Sequence, residues 1–236
     1  MGLADLHLHT IYSYDGTATV PAVLKHANQI GLDLIAITDH DEIRGALLAE
    51  ELAAKFEIEV IPGVEITTGE GDLLALNIRK IIPAGLPLIE TILRVGELGG
   101  FCLAPHPMAG GMGMKSLSAF SIRQALRREE TARILLGIET YNATALDREG
   151  NHAAKILAER SGVAQTGSSD AHVLEAIGLG ATIFPGQGVG DLVAALWAGT
   201  TQVRTGPEWG AAQVLGKWAA GYLLSAPSRL IPALAQ

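Results

Sequence analysis

The chain holds a single cysteine, Cys102, so no disulfide can form within it, and a small secreted scaffold stapled by disulfides is excluded. Aromatic side chains make up only 5% of the residues and no basic run occurs, which leaves little to line a long groove for single-stranded nucleic acid. Cationic charge is scarce as well. Seventeen lysines and arginines face twenty-five acidic residues, for a formal charge of -8, and that balance argues against duplex nucleic acid as a partner. A small anion held locally stays open. The amino terminus, MGLADLHLHT, has neither the basic start nor the apolar run of a signal peptide. The apolar stretch 211–235 is broken by Lys217, Pro227, Arg229 and Pro232, short of the ~20 apolar residues that cross a bilayer. No transmembrane segment is expected, and a reducing cytoplasm is the expected location.

What the chain does have is apolar mass, 48% of its 236 residues, enough for one well-filled core. Strand-length apolar runs alternate with segments of helical period, the pattern of repeated strand-helix units with a parallel sheet, closed as a barrel or left open. The expected strands are 4–9, 34–38, 59–63, 73–78, 101–105, 135–140, 163–167 and 181–184. Thr19 is placed to cap a helix with Pro21 in its first turn and an end near Gly31. Further helices are expected over 42–56, 88–98, 147–160 and 191–198, and glycines 110, 111 and 113 mark a loop. No linker divides the chain. The expected organisation is a barrel over 1–205 and a helical extension over 206–236, in which Val214, Leu215, Trp218 and Tyr222 form an apolar stripe with Gln213, Lys217 and Gly221 off it. Such a stripe suits packing on the barrel; contact with a second copy, giving a homo-oligomer, or with a membrane surface is the alternative.

Alternate side chains of an extended strand share a face, so Asp5, His7 and His9 point one way and Leu6 and Leu8 the other. Two such imidazoles can grip one metal ion, a weak signal when alone. Later strands add to it: Asp39, His40 and Asp41 follow 34–38, Glu65 follows 59–63, His106 follows 101–105, and Asp170 and His172 follow 163–167. In a parallel barrel the loops after the strands meet at one mouth. Five of the seven histidines then fall at that mouth, leaving His26 and His152 within helices, and a mixed nitrogen and oxygen set fits a metal site. Charge argues the same way. Asp15, Glu65, Asp72 and Asp170 together bring four negative charges into one partly desolvated pocket, which cations must offset. Two divalent ions would leave the set near neutral; three would leave it positive, the state that attracts a phosphate dianion.

In these residues the chain resembles the polymerase and histidinol phosphatase (PHP) superfamily of metal-dependent phosphoesterases. The matching motifs are DLHLHT at 5–10, YSYDGT at 12–17, TDHDEI at 38–43, PGVEITT at 62–68, APHP at 104–107 and SSDAH at 168–172, in family order. The resemblance implies an α/β fold, a single PHP domain built as a distorted TIM-like barrel of about seven strand-helix units. It also implies two or three divalent ions, zinc, manganese or iron. His7, His9, Glu65 and Asp170 would hold the first, with Glu65 bridging; Glu65 and His106, helped by the region of Asp72, the second; Asp15, His40 and His172 the third. Asp170, Glu65 and His172 would be the catalytic residues. Asp72 departs from the pattern, since similar chains often carry a histidine just before this apolar strand.

Clustered cations acidify a bridging water and neutralise phosphoryl oxygens, so a metal-bridging hydroxide is the expected nucleophile. The expected substrate is a small phosphomonoester, a nucleotide or another phosphorylated metabolite. An exonuclease or oligonucleotide phosphodiesterase, a hydrolase of carbon-nitrogen bonds and a non-catalytic metal-stabilised module are the alternatives. Lys115, Arg148 and Arg204 are candidate phosphate contacts. Asp39 and Asp41 are candidates either for orienting a ligand histidine or for capping the following helix. Glu139 and Asn142 lie at a strand end facing the same mouth and resemble a recurrent family segment, with a structural hydrogen-bonding role as the alternative. Cys102, alone in an apolar strand, is expected to be inert.

Overall fold

Leu34–Ile37 is buried along its whole length, as an inner strand of a covered sheet must be. It is the second of nine strands in the computed structural model, which describes residues 1–110, 114–145 and 148–230. The strands are β1 (Gly2–Leu8), β2 (Leu34–Ile37), β3 (Glu59–Thr67), β4 (Asp72–Leu76), β5 (Phe101–Ala104), β6 (Leu135–Asn142), β7 (Ala164–Ser168), β8 (Gly180–Phe184) and β9 (Gln202–Thr205). They form one sheet in the order β7-β6-β5-β4-β3-β2-β1-β8-β9. The sheet curls back on itself. Leu8 bridges Ala171 just beyond β7, and Thr182 of β8 uses its hydroxyl to accept from Gly167 N (3.1 Å) and donate to Gly167 O (2.9 Å).

The result is the expected α/β fold, a distorted TIM-like barrel, and the distortion has a local cause. β1, β2 and β3 run parallel, as do β5, β6 and β7, but β4 is antiparallel to both β3 and β5, and β8 to both β1 and β9. A uniformly parallel sheet was expected and is not found. Only residues 68–71 join β3 to β4, too few for a crossover, and Gly71 takes a φ of 145° that a side chain would resist. Thr68 closes this hairpin by donating its hydroxyl to Gly71 O. Between β7 and β8 there is a 3-10 turn, Leu174–Ala176, and no full helix. The carboxyl ends of β1, β2, β3, β5, β6 and β7 therefore share one mouth, where β4 begins.

The helices close to expectation are α1 (Val20–Gln29), α2 (Arg44–Leu52) continuing into a 3-10 turn, and α3 (Leu88–Glu97). Thr19 precedes α1 as expected, but its side chain makes no capping bond. Two helices, α4 (Ala119–Leu126) and α5 (Glu129–Ala132), and the half-exposed strand β9 are not expected from the sequence. Then come α6 (Arg148–Ser161), α7 (Val189–Ala198) and α8 (Ala211–Leu230). Asp147, expected to start α6, Gly111 and Gly113 lie outside the described residues. Inside the barrel, Leu6, Leu34, Leu74, Leu103 and Phe184 pack with Leu192 and Leu196 of α7. α8 meets the barrel through Trp218, whose indole N–H donates to Asp15 O at 2.8 Å, and Gly221, expected to face away, sits where a Cβ would lie 2.9 Å from Thr17 Oγ1. No helix among the described residues is long and apolar enough to cross a membrane.

Candidate metal centre

The centre starts from an irregularity in β1. Asp5 pairs with Ile35 and Leu8 with Ile37, so β1 carries one residue more than β2 over this stretch and bulges. The strict alternation read from the sequence fails here. Leu6 packs inside the barrel while Leu8 packs with α1, and Asp5 leaves the histidines to accept from the amides of Ser169 (2.9 Å) and Gly178 (2.8 Å). His7 and His9 do converge, with their Nε2 atoms 3.2 Å apart.

Glu65 of β3 stands between them and two other strand ends, those of β2 and β5. Its Oε2 lies 3.1 Å from His7 Nε2, 3.3 Å from His9 Nε2 and 3.2 Å from His40 Nδ1, and its Oε1 lies 3.0 Å from His106 Nε2. Asp170 Oδ1 lies 3.1 Å from His9 Nε2 and 3.4 Å from His7 Nε2. Asp15 Oδ2 faces His172 Nε2 at 3.2 Å and His40 Nε2 at 3.4 Å. Three groups of donors thus converge within 4.8 Å: His7, Glu65 and His106; His7, His9 and Asp170; His9, Asp15, His40 and His172. Asp72 belongs to none of them. Its Oδ2 accepts from Lys115 N at 3.3 Å, while its Oδ1 is buried without a hydrogen-bond partner.

These donors fit divalent ions on their own chemistry. Asp170 Oδ1 is likewise buried with no hydrogen-bond partner, although imidazole nitrogens approach it closely. Such crowding of acceptor atoms requires protons or metal ions between them. Without metal, protons take that place: burial opposes the charge on His7, but Asp170, Glu65 and Glu139 outweigh it and hold its pKa well above the usual range. Burial opposes the charge on Glu65 and Asp170 too, yet His7 with His40, and His7 with His9, hold their carboxyls well below the usual range. His106 and Asp170 also adopt positive φ, 27° and 53°, backbone strain of the kind that collects at functional sites.

The PHP domain model matches residues 5–169, and a PHP-associated model matches 148–201. This chain belongs to the PHP domain family. It is 40% identical over 114 residues to an uncharacterised protein of Methanocaldococcus jannaschii, a match covering 44% of this chain and 67% of that protein. A phosphoribosyl 1,2-cyclic phosphate 1,2-diphosphodiesterase of Eggerthella lenta is 32% identical over 88 residues, covering 35% of this chain and 33% of that enzyme. The fold resembles the crystal structure of a candidate metal-dependent phosphoesterase of Bifidobacterium adolescentis, with a TM-score of 0.59 at 18% identity over 92% of this chain and 96% of that one.

Around the converging donors, the PHP domain supplies a buried ring of orienting groups. Glu139 faces His7 Nδ1 at 3.3 Å with one oxygen, and with the other accepts from His106 N at 2.7 Å and Asn142 Nδ2 at 3.0 Å. Asn142 also donates to Asp170 Oδ2 at 3.0 Å. Asp39 and Asp41 take neither of their expected roles: Asp39 accepts from Thr10 N and Oγ1, and Asp41 from Thr67 N, both tying strands at the mouth. The role of Asp5 was also missed, and its bonds to chain neighbours 164 and 173 residues away leave no local signal.

A cavity of about 420 Å³ opens over the PHP centre, bordered by Asp15, His40, Glu65, His106, Asp170 and His172, with Asp72 beside them. None of the three candidate cations lines it. Lys115 is exposed and bonds through its backbone, Arg148 donates to Asn142 O and Trp209 O, and Arg204 donates to Gly178 O. Cys102 is buried in β5, and burial pushes its thiol up, away from reactivity.

Proposed function

We propose that this PHP domain is a metal-dependent phosphoesterase acting on a small phosphomonoester. The observation that carries the reading is the convergence of three nitrogen and oxygen groups beneath one open cavity, with Glu65 of one group reaching histidines of the other two. His7, Glu65 and His106 would hold one ion, with Asp72 adding its free oxygen; His7, His9 and Asp170 a second; and Asp15, His40 and His172, with His9, a third. Divalent ions bound there, zinc, manganese or iron, supply Lewis-acid polarisation of phosphoryl oxygens and acidify water.

The residues of the chain do the rest. Glu65 presents its carboxylate to four imidazoles at once, and Glu139 fixes which nitrogen of His7 faces it. Asp170, held through Asn142, keeps Oδ1 available at the cavity edge, and His172 Nδ1 bonds Asp170 O at 2.9 Å so that its Nε2 faces Asp15. The buried Cys102 thiol lies outside the cavity lining, and in this reading the nucleophile is water that bound metal would acidify. A phosphodiester substrate is the second reading, favoured by the similarity to the cyclic phosphate diphosphodiesterase.

A panel of mono- and diesters, assayed on protein reconstituted with each of the three metals, tests the proposal. Monoester turnover that depends on metal supports it. Absence of turnover with every ester and every metal would overturn it in favour of a non-catalytic module.

A further inference from the structure

We infer that the cavity selects phosphomonoesters whose organic group is apolar and carries no second charge, an aryl or alkyl phosphate rather than a sugar phosphate or a bisphosphate. This rests on the phosphoesterase reading above. One side of the cavity is the metal centre; the other is Trp209, Val214, Leu215 and Trp218, joined by Met114 and Val173. No lysine or arginine is among the described residues that line it.

Of the nearby cations, Lys115 follows the lining residue Met114 but is exposed and does not border the cavity, and two others are engaged elsewhere. Arg148 holds two backbone carbonyls, one of them Trp209 O. Lys217 passes 5.4 Å from the Trp209 ring, but its ammonium pairs with Glu175 at 2.9 Å and does not border the cavity. A second phosphate on the substrate would thus meet no lysine or arginine on the described lining, whereas the phosphoryl group at the centre would be neutralised. Hydroxyls of a sugar would find few partners away from the donor groups: Thr144 already donates its hydroxyl to Ser169 O and Asp170 O, and Tyr14 brings the one other hydroxyl on the described lining.

An apolar ring, by contrast, loses water against the two indoles and Leu215, which favours binding in proportion to the area covered. The volume suits a phosphoryl group and one ring, falling within the roughly 300–1,000 Å³ typical of small-molecule sites. The wall is also held in register with the centre, since Trp218 bonds the backbone of Asp15, a residue of one donor group.

The test compares benzyl phosphate with glycerol phosphate, esters of alcohols of similar leaving ability, on the metal-loaded protein. Benzyl phosphate is expected to show about tenfold or more higher kcat/KM, the size of effect that covering one ring supports. Leu215→Asn should narrow that ratio severalfold, whereas Leu223→Asn, on the exposed face of α8, should leave it alone. Calorimetry with benzylphosphonate and methylphosphonate reads the same preference without turnover. Equal rates together with equal phosphonate affinities would overturn the apolar preference and leave the phosphoesterase reading standing. If neither ester is hydrolysed and neither phosphonate binds, both fall.

Discussion

His7 Nδ1 donates to Glu139 Oε1 at 3.3 Å, and that bond turns Nε2 of His7 toward Glu65, 3.1 Å away. The same Glu139 fixes the backbone of His106 through its other oxygen, so one buried carboxylate orients two of the proposed ligands. Glu139→Gln conserves volume but weakens both bonds. It is expected to lower metal affinity about 10- to 100-fold, the usual cost of losing a group that orients a ligand. Competition against a coloured chelator measures it, and wild-type affinity would show that β1 alone orients His7.

Metal uptake should release protons. In the metal-free chain burial opposes the charge on His40, but Glu65 and Asp15 outweigh it and raise its pKa to about 9. Because the folded value exceeds the ordinary 6.5, this group contributes stability that is complete below pH 6.5 and lost as pH rises through about 9. Binding requires neutral imidazole. Titration calorimetry near pH 7 in buffers of different ionisation enthalpy should therefore report net proton release, and the Tm of metal-free protein should fall across that pH window more than that of loaded protein. Proton uptake on binding would contradict the arrangement.

Asp170→Asn is expected to keep the fold and lose at least about a hundredfold in kcat, since it removes charge beside the reacting water. His26→Ala, in α1 and remote from the mouth, serves as the control. Steady-state assays of both decide whether Asp170 belongs to the catalytic set; near-normal turnover in Asp170→Asn would remove it.

Asp72, expected from the sequence to help hold the second metal, lies outside the three donor groups. Its buried Oδ1 has no hydrogen-bond partner, and burial together with Glu65 raises its pKa, as expected of a carboxylate that awaits a cation. Asp72→Ala should weaken one metal selectively, and Asp72→His should restore it with a preference shifted toward zinc. Metal titrations with unchanged occupancy in Asp72→Ala would reduce Asp72 to the turn that bonds Lys115.

Much of the site was legible because ligand-type residues stand at strand ends, and strand ends of a parallel barrel meet wherever the helices fall. His40, His106, Asp170 and His172 needed no more than that. Asp5 and Leu6 were misassigned, since alternation assumes a regular strand and the bulge in β1 arises only from pairing with β2. The direction of β4 was readable in principle: residues 68–71 leave no room for a helix. α4 and α5 escaped because residues 116–134 show a weak apolar stripe, with Ile122, Ala125 and Thr131 among the few buried positions. Arg148 and Arg204 illustrate the opposite limit: a guanidinium near a mouth in sequence bonds backbone carbonyls in space.

The proposed chemistry requires metal in the three donor groups, and elemental analysis of reconstituted protein tests that most directly. At least two divalent ions per chain are expected, with a Tm that falls when they are stripped. Less than one ion per chain after reconstitution would contradict it.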